Sequence, residues 1–278
     1  MSYHFTIKNT RGLTYSQLLD SKYLPPQVRV SFDININDPI DGYSKFYIPD
    51  KSSRGVALTA NEEVYDVEIN VGASKDDYFL ATRISLALGD LNSSLICPED
   101  FDELAVQEIE QNYNEKWAEN YRHLGIGAMK YLVEKEGSTF SLPGCIRNYY
   151  FGKLTLNKFC FDNPSEELFG DRLISEIKKL QFLEHVEKDL QVPTRMEMDV
   201  PEGVKTLIVI PPDYKFLLIK ADFILLRASG ELVKVPYEEF AKYISADSIR
   251  VDEEQYIIQP INKIDYLEMI IFFKSYKI

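Results

Sequence analysis

Apolar and polar positions alternate through the first third of the chain. Residues 3–8, 28–36, 44–48, 55–59 and 64–71 repeat with period two between turn residues, a pattern that predicts strands. In the second of these, Val28, Val30, Phe32, Ile34 and Ile36 share one face. Such a strand covers a core on one side and meets water on the other.

After Val71 the period lengthens. Ser74 can cap a helix in which Phe79, Leu80, Ile84, Leu86, Ala87 and Leu88 follow at helical spacing, with an end near Gly89. A second helix is predicted over residues 101–123, where Leu104, Ile109, Tyr113, Trp117 and Tyr121 form an apolar stripe. Glu99, Asp100, Asp102 and Glu103 lie at its start, where acidic groups favour the helix dipole. Gly125-Ile126-Gly127 breaks the pattern, residues 128–134 suit a short helix, and residues 140–151 read as extended around Pro143-Gly144. Asn163-Pro164-Ser165-Glu166-Glu167 starts a helix running to about residue 190, with Leu168, Leu173, Ile177, Leu180, Leu183 and Val186 on its buried face.

Residues 192–203 carry Pro193, Pro201 and Gly203 with little periodicity and mark the best boundary. Strand patterns resume at 206–210, 215–219, 223–226 and 231–235, with Ser229-Gly230 as a hairpin turn. Residues 236–244 resemble a short helix, and 261–276 fit helix or strand equally. The expectation is an α+β fold of mixed or antiparallel sheets with three or more helices packed on them. It divides into an N-terminal α+β domain, 1–191, and a smaller β-rich domain, 200–278, which could pack as one unit.

Composition adds bounds. Hydrophobic residues are 45% and aromatics 13% of the 278, enough to build a core and to exclude disorder. The 31 basic and 44 acidic side chains leave a net charge of -13. That sign disfavours nucleic acid and anionic membrane as partners, because both need a cationic surface. The first eight residues read as a strand rather than a signal peptide, and no apolar stretch approaches the roughly 20 residues of a membrane span. Cys97, Cys145 and Cys160 are odd in number and widely spaced, which suits reduced thiols and a cytoplasmic location.

Four candidate chemistries were weighed on their residues. Asp33-Ile34-Asn35-Ile36-Asn37-Asp38 has the alternate oxygen ligands of a calcium loop, yet Asp38 stands where the sharp turn needs glycine and Ser44 where a bidentate Glu belongs. Gly125-Ile126-Gly127 follows a helix rather than a strand and lacks both nucleotide-loop spacings. Glu115, Glu119 and His123 share a helix face but sit beside Lys116 and Arg122, so a solvated face is favoured over a metal site. Cys145, in Leu142-Pro143-Gly144-Cys145-Ile146-Arg147, is the best nucleophile and would need His123 or His185 as base. No metal or cofactor is expected.

The strongest charge asymmetry lies in residues 99–119, with eight acidic side chains against the single Lys116. A solvated helix face explains it, and a docking surface for a cationic protein is the sharper reading. On that reading the contact residues are Glu99, Asp100, Asp102, Glu103, Glu108, Glu110 and Trp117.

The blocks Phe140-Ser141-Leu142-Pro143-Gly144-Cys145-Ile146-Arg147 and Ile210-Pro211-Pro212-Asp213-Tyr214 resemble those of an uncharacterised bacterial family of stand-alone cytoplasmic proteins. The resemblance implies no catalytic residue. The stretch from Pro211 is also similar to a motif of the immunity superfamily that includes yeast cell-wall regulators, but there it caps a helix that follows helices, and here strands flank it. The leading expectation is a non-enzymatic cytoplasmic protein-binding role, as an immunity or accessory protein of a bacterial competition system. The alternatives are an enzyme with a dispersed acid/base or thiol site and an acidic nucleic-acid mimic.

Overall fold

The computed structural model describes residues 2–30, 34–187, 189–201, 203–228 and 230–275. The chain divides into two compact units, Met1–Phe182 and Leu183–Ile278. The architecture is α+β in both.

Unit 1 begins with β1 (Ser2–Lys8), α1 (Tyr15–Leu19), β2 (Arg29–Val30), β3 (Gly42–Tyr47), β4 (Val56–Ala60) and β5 (Val64–Asn70). These are followed by α2 (Lys75–Asn92), β6 (Ile96–Pro98), α3 (Val106–Asn112), α4 (Glu115–Tyr121) and α5 (Ile126–Glu136). The hairpin β7 (Phe140–Pro143) and β8 (Asn148–Phe151) precedes α6 (Lys153–Phe159) and α7 (Glu166–Gln181). The six-stranded sheet runs β2-β3-β4-β5-β1-β6 and is antiparallel throughout. Alternation in β1 buries Tyr3, Phe5 and Ile7, and in β5 Tyr65, Val67 and Ile69. They pack in one core with Leu80, Ile84, Leu86 and Leu88 of α2.

Ser74 caps α2 as its sequence indicates, reciprocally with Asp77. The helix does not stop at Gly89 but runs to Asn92, with Ser93 in the left-handed region at φ 53°. Gly89 is a packing glycine: a Cβ there would meet the Ile96 side chain at 2.9 Å, so its small size lets β6 close on the helix. The predicted helix over 101–123 is two helices. Tyr113 leaves helical geometry at φ -103°, ψ 52°, and the Asn114 side chain accepts from Lys116 N and Trp117 N to start α4. Of the strand predicted at 28–36, Arg29–Val30 is paired with β3, Ile36 is exposed in a loop, and Phe32 and Asp33 lie outside the described residues.

The helix from Ser165 ends at Gln181 rather than near residue 190. Its last carbonyls, on Leu180 and Gln181, accept from the Arg147 guanidinium at 2.9 and 3.1 Å, an end fixed by a residue distant in sequence. Leu168 and Val186, expected to be buried, are exposed.

Unit 2 contains α8 (Leu183–Val186), β9 (Leu190–Gln191), β10 (Arg195–Val200), β11 (Gly203–Ile210), β12 (Lys215–Leu218), β13 (Phe223–Ala228) and β14 (Glu231–Pro236). It ends with α9 (Tyr237–Ile244), β15 (Ser248–Arg250), β16 (Tyr256–Ile258) and α10 (Lys263–Ser275). One sheet runs β10-β11-β13-β14 and the other β15-β16-β12-β9, each with one parallel pair. The segment read as a boundary, 192–203, holds β10, which pairs along its whole length with β11. The ambiguous 261–276 forms a helix over Lys263–Ser275. Tyr266, Met269, Ile270 and Phe273 face the core, and the Tyr266 hydroxyl donates to Ile210 O at 2.6 Å.

Candidate functional site

The acidic residues expected to dock a partner fall into two groups. The first is a short loop, 97–103, that follows the edge strand β6. Its base is closed by paired backbone bonds, Ile96 N to Leu104 O at 2.9 Å and Leu104 N to Ile96 O at 2.8 Å, and Glu99 N donates to His4 O at 3.0 Å. Its centre is held by Asp100. The carboxylate accepts the Tyr113 hydroxyl at 2.7 Å and the Tyr121 hydroxyl at 3.3 Å, and the Tyr3 hydroxyl donates to it as well. Burial pushes the Tyr3, Tyr113 and Tyr121 hydroxyls up from their ordinary range, and the Asp100 carboxylate adds to the shift at all three. They therefore stay neutral donors at physiological pH.

These tyrosines belong to an aromatic cluster centred on Trp117. Its ring lies 5.0 Å from Tyr113 and Tyr121, 5.2 Å from Tyr3, 5.5 Å from Tyr78 and 5.9 Å from Phe5. Four of these pairs are edge-on and Trp117–Tyr121 is tilted at 32°; such aromatic pairs contribute about 0.5–1.5 kcal/mol each beyond their buried area. The structure thus brings Asp100 and Trp117 into one assembly, the aromatic core holding the carboxylate and the carboxylate holding the loop. Trp117 is partly buried against the core, and its Nε1 is buried without a hydrogen-bond partner among the described residues.

What the pinned loop presents outward is Glu99, Phe101, Asp102 and Glu103. Phe101 is 60% exposed. None of Glu99, Asp100, Asp102 and Glu103 has an ion-pair partner among the described residues. Phe101, Tyr3 and Tyr121 were absent from the predicted contact set, although Tyr121 lies on the stripe that includes Trp117.

The second group is already committed within the fold. Glu108 closes the start of α3 by accepting Ala105 N at 2.8 Å, and Glu110 pairs with Arg83 at 3.4 Å. Glu115 pairs with Lys75 at 3.1 Å, and Glu119 with Arg122 at 2.8 Å. His123 bonds Asp171 at 2.8 Å. The acidity that reads as one tract in sequence is therefore balanced over its C-terminal half and unbalanced at 99–103. Among the described residues, no three His, Cys, Asp or Glu side chains are grouped as a metal site.

A buried polar node lies elsewhere in unit 1. Asp77, fully buried, accepts from the backbone N–H of Ser53, Arg54, Gly55 and Ser74 at 2.9–3.1 Å and from both serine hydroxyls. Arg54 Nε donates to Pro143 O at 2.6 Å, and Lys45 Nζ to Gly144 O at 3.0 Å. Burial brings the Arg54 guanidinium down to about 10. Gln181 Oε1 accepts Ile146 N and Arg147 N, both at 2.8 Å. Here the Leu142-Pro143-Gly144-Cys145-Ile146-Arg147 block is clamped. Cys145 is 3% exposed and its thiol is pushed well up, chiefly by burial, with Ser52 O and the Gln181 carboxamide as its contacts. Burial opposes the thiolate that a nucleophile needs, while the nearby Lys45 ammonium pulls the thiol the other way.

A cleft of about 670 Å³ in unit 1 is lined by Arg29, Lys51, Lys75, Asp76, Phe79 and Glu115 among others. Partial burial pushes the Asp76 carboxyl up, against the opposing pull of Lys51.

An antiparallel six-stranded sheet backed by α2 and edged by a pinned acidic loop defines an α+β domain. A family model, a domain of unknown function (DUF4299), matches residues 2–182, and the chain belongs to that family. The matched span is unit 1 in all but its first residue. No curated protein and no solved structure matches the chain.

Proposed function

We propose that the chain is a non-enzymatic binding protein that engages a cationic protein partner through the 99–103 loop. One observation supports this reading: a loop held by hydrogen bonds, with four carboxylates that have no ion-pair partner among the described residues, around an exposed phenylalanine. Holding the loop in place before binding reduces the ordering cost of association. Uncompensated charge speeds encounter with an oppositely charged surface, and an exposed aromatic side chain serves as the anchor. In its finer form the reading is an immunity or accessory protein of a bacterial competition system, cytoplasmic, with a cationic toxin as partner. The test is affinity purification from the native host at low and physiological salt, followed by binding of the purified partner to the wild type and to Asp102→Lys/Glu103→Lys. At least tenfold weaker binding by the variant supports the reading. Equal binding, or no partner at either salt, overturns it.

The cleft beside Asp76 supports a second reading, a small-molecule or acid/base site. Its volume falls within the range of ligand pockets, about 300–1,000 Å³. An upward-shifted carboxyl beside cations is a feature of such sites. Soaking a metabolite library against the chain, with Asp76→Asn and Lys51→Ala as controls, separates the two readings.

A further inference from the structure

We propose that Ser2 is an activated nucleophile, a site at which the chain takes up an acyl group from an activated ester. It goes beyond the binding role of the 99–103 loop and does not rest on it. Alternation in β1 turns Tyr3, Phe5 and Ile7 into the core and leaves Ser2, His4 and Thr6 on the opposite face of the sheet. β5, antiparallel to β1, sets Asp66, Glu68 and Asn70 beside them on that face. Three of these side chains are linked in series. Ser2 Oγ lies 2.8 Å from His4 Nε2, and His4 Nδ1 lies 3.1 Å from both carboxylate oxygens of Asp66.

The order of the contacts sets the chemistry. A carboxylate only accepts, so Asp66 places the proton of the neutral imidazole on Nδ1, which leaves Nε2 as the acceptor of the Ser2 hydroxyl. This is the arrangement that activates a serine: the ring takes the hydroxyl proton as Oγ attacks, and the carboxylate stabilises the imidazolium that forms. The Glu68 carboxylate, 4.0 Å from Nε2, is too far to displace the serine as hydrogen-bond partner and stabilises the same cation. The His4 and Asp66 side chains are 35% and 34% exposed, so a reagent reaches them from solvent. An open face gives little shielded stabilisation to an oxyanion, which is why the ester must carry a good leaving group. In the step, Ser2 Oγ bonds to the carbonyl carbon and its proton passes to His4 Nε2. The bond from that carbon to the leaving oxygen then breaks, and the leaving group departs with the proton returned from His4. One transfer leaves an ester on Ser2, a covalent mark on a binding protein rather than turnover.

The probe is p-nitrophenyl acetate, applied to the full chain in mildly alkaline buffer, with the acetyl group located by fragment mass spectrometry. The expected result is an acetyl ester on the Ser2 side chain that neutral hydroxylamine removes, as it does esters and not amides, and that is absent from Ser2→Ala. The ester should form at least tenfold more slowly in His4→Gln and in wild type unfolded by denaturant. Asp66 acts through His4 as a positioning residue, and the nitrogen spectrum of the His4 ring reads that role directly. The wild type should carry the proton on Nδ1, and Asp66→Asn should move it to Nε2 and slow the ester by at least tenfold. Both substitutions lie on the solvent face, and far-ultraviolet spectra check that each variant is folded. Acetyl groups confined to lysines and the amino terminus overturn the proposal. So does a Ser2 ester that forms as fast in His4→Gln or in the unfolded chain, or a His4 proton that Asp66→Asn leaves in place.

Discussion

The Tyr113 hydroxyl donates to the Asp100 carboxylate at 2.7 Å, and through that bond the aromatic core of unit 1 fixes a loop that would otherwise be free to sample many shapes. Removing the donor alone, Tyr113→Phe, should cost about 0.5–1.5 kcal/mol, because Tyr3 and Tyr121 still reach the carboxylate. Asp100→Ala removes the acceptor shared by three hydroxyls, of which Tyr3 and Tyr113 still bond each other, and should cost about 1–3 kcal/mol. Amide exchange resolved to residues 97–103 checks this. Faster exchange confined to the loop in both variants is the expected pattern, and a loop exchanging at the wild-type rate in Asp100→Ala would contradict it.

The same hydroxyls tie stability to alkaline pH. Burial raises the Tyr3 and Tyr113 pKa values in the folded chain, while in the unfolded chain they titrate near 10. An acid with a raised folded value keeps its proton in the fold and releases it on unfolding. Stability is therefore full below about pH 10 and falls above it, by up to about 1.4 kcal/mol per pH unit for each such group. Denaturant midpoints between pH 8 and 11 should show this fall, and Tyr113→Phe should reduce its slope.

Gln181 closes the polar node by accepting two backbone N–H groups with one oxygen. Gln181→Leu leaves both part-buried donors without that acceptor and should destabilise by about 2 kcal/mol, taking roughly 1 for each. Gly144→Ala should be comparably damaging, since its Cβ would come within 2.3 Å of Arg147 O. Thermal unfolding of the two variants measures both effects.

The cysteines differ in access. Cys97 is exposed and should react with an aromatic disulfide reagent within minutes, while Cys145 is buried with its thiol pushed up and should react only as the chain unfolds. Thiol counting in native buffer and in denaturant, with Cys97→Ser and Cys160→Ser to assign the signals, checks this. Fast native labelling of Cys145 would contradict this and support the thiol-enzyme reading.

The two units have separate hydrophobic clusters, residues 3–118 and 208–273. A fragment ending at Phe182 should therefore fold cooperatively by itself, with a far-ultraviolet spectrum and a single thermal transition of its own.

Local pattern determined much of this protein. Period-two alternation in β1 and β5 and the Ser74 cap of α2 were legible because they depend on neighbours within a few residues. The α+β class followed from them. So did the place of the acidity, since charge is counted along the chain. What escaped was set by partners far away in sequence. Gly89 looked like a terminator because only Ile96 reveals why a glycine sits inside a helix. The end of α7 depends on Arg147; the break in the helix over 101–123 is instead local, an Asn114 cap hidden beneath a continuous apolar stripe. The division of residues 99–119 into a balanced half and an exposed loop required Lys75, Arg83 and Arg122 to be placed in space, and the grip on Asp100 required Tyr3, 97 residues away. Charge and periodicity are properties of the chain; which charges are neutralised, and which carboxylate is held, is decided only when distant side chains meet.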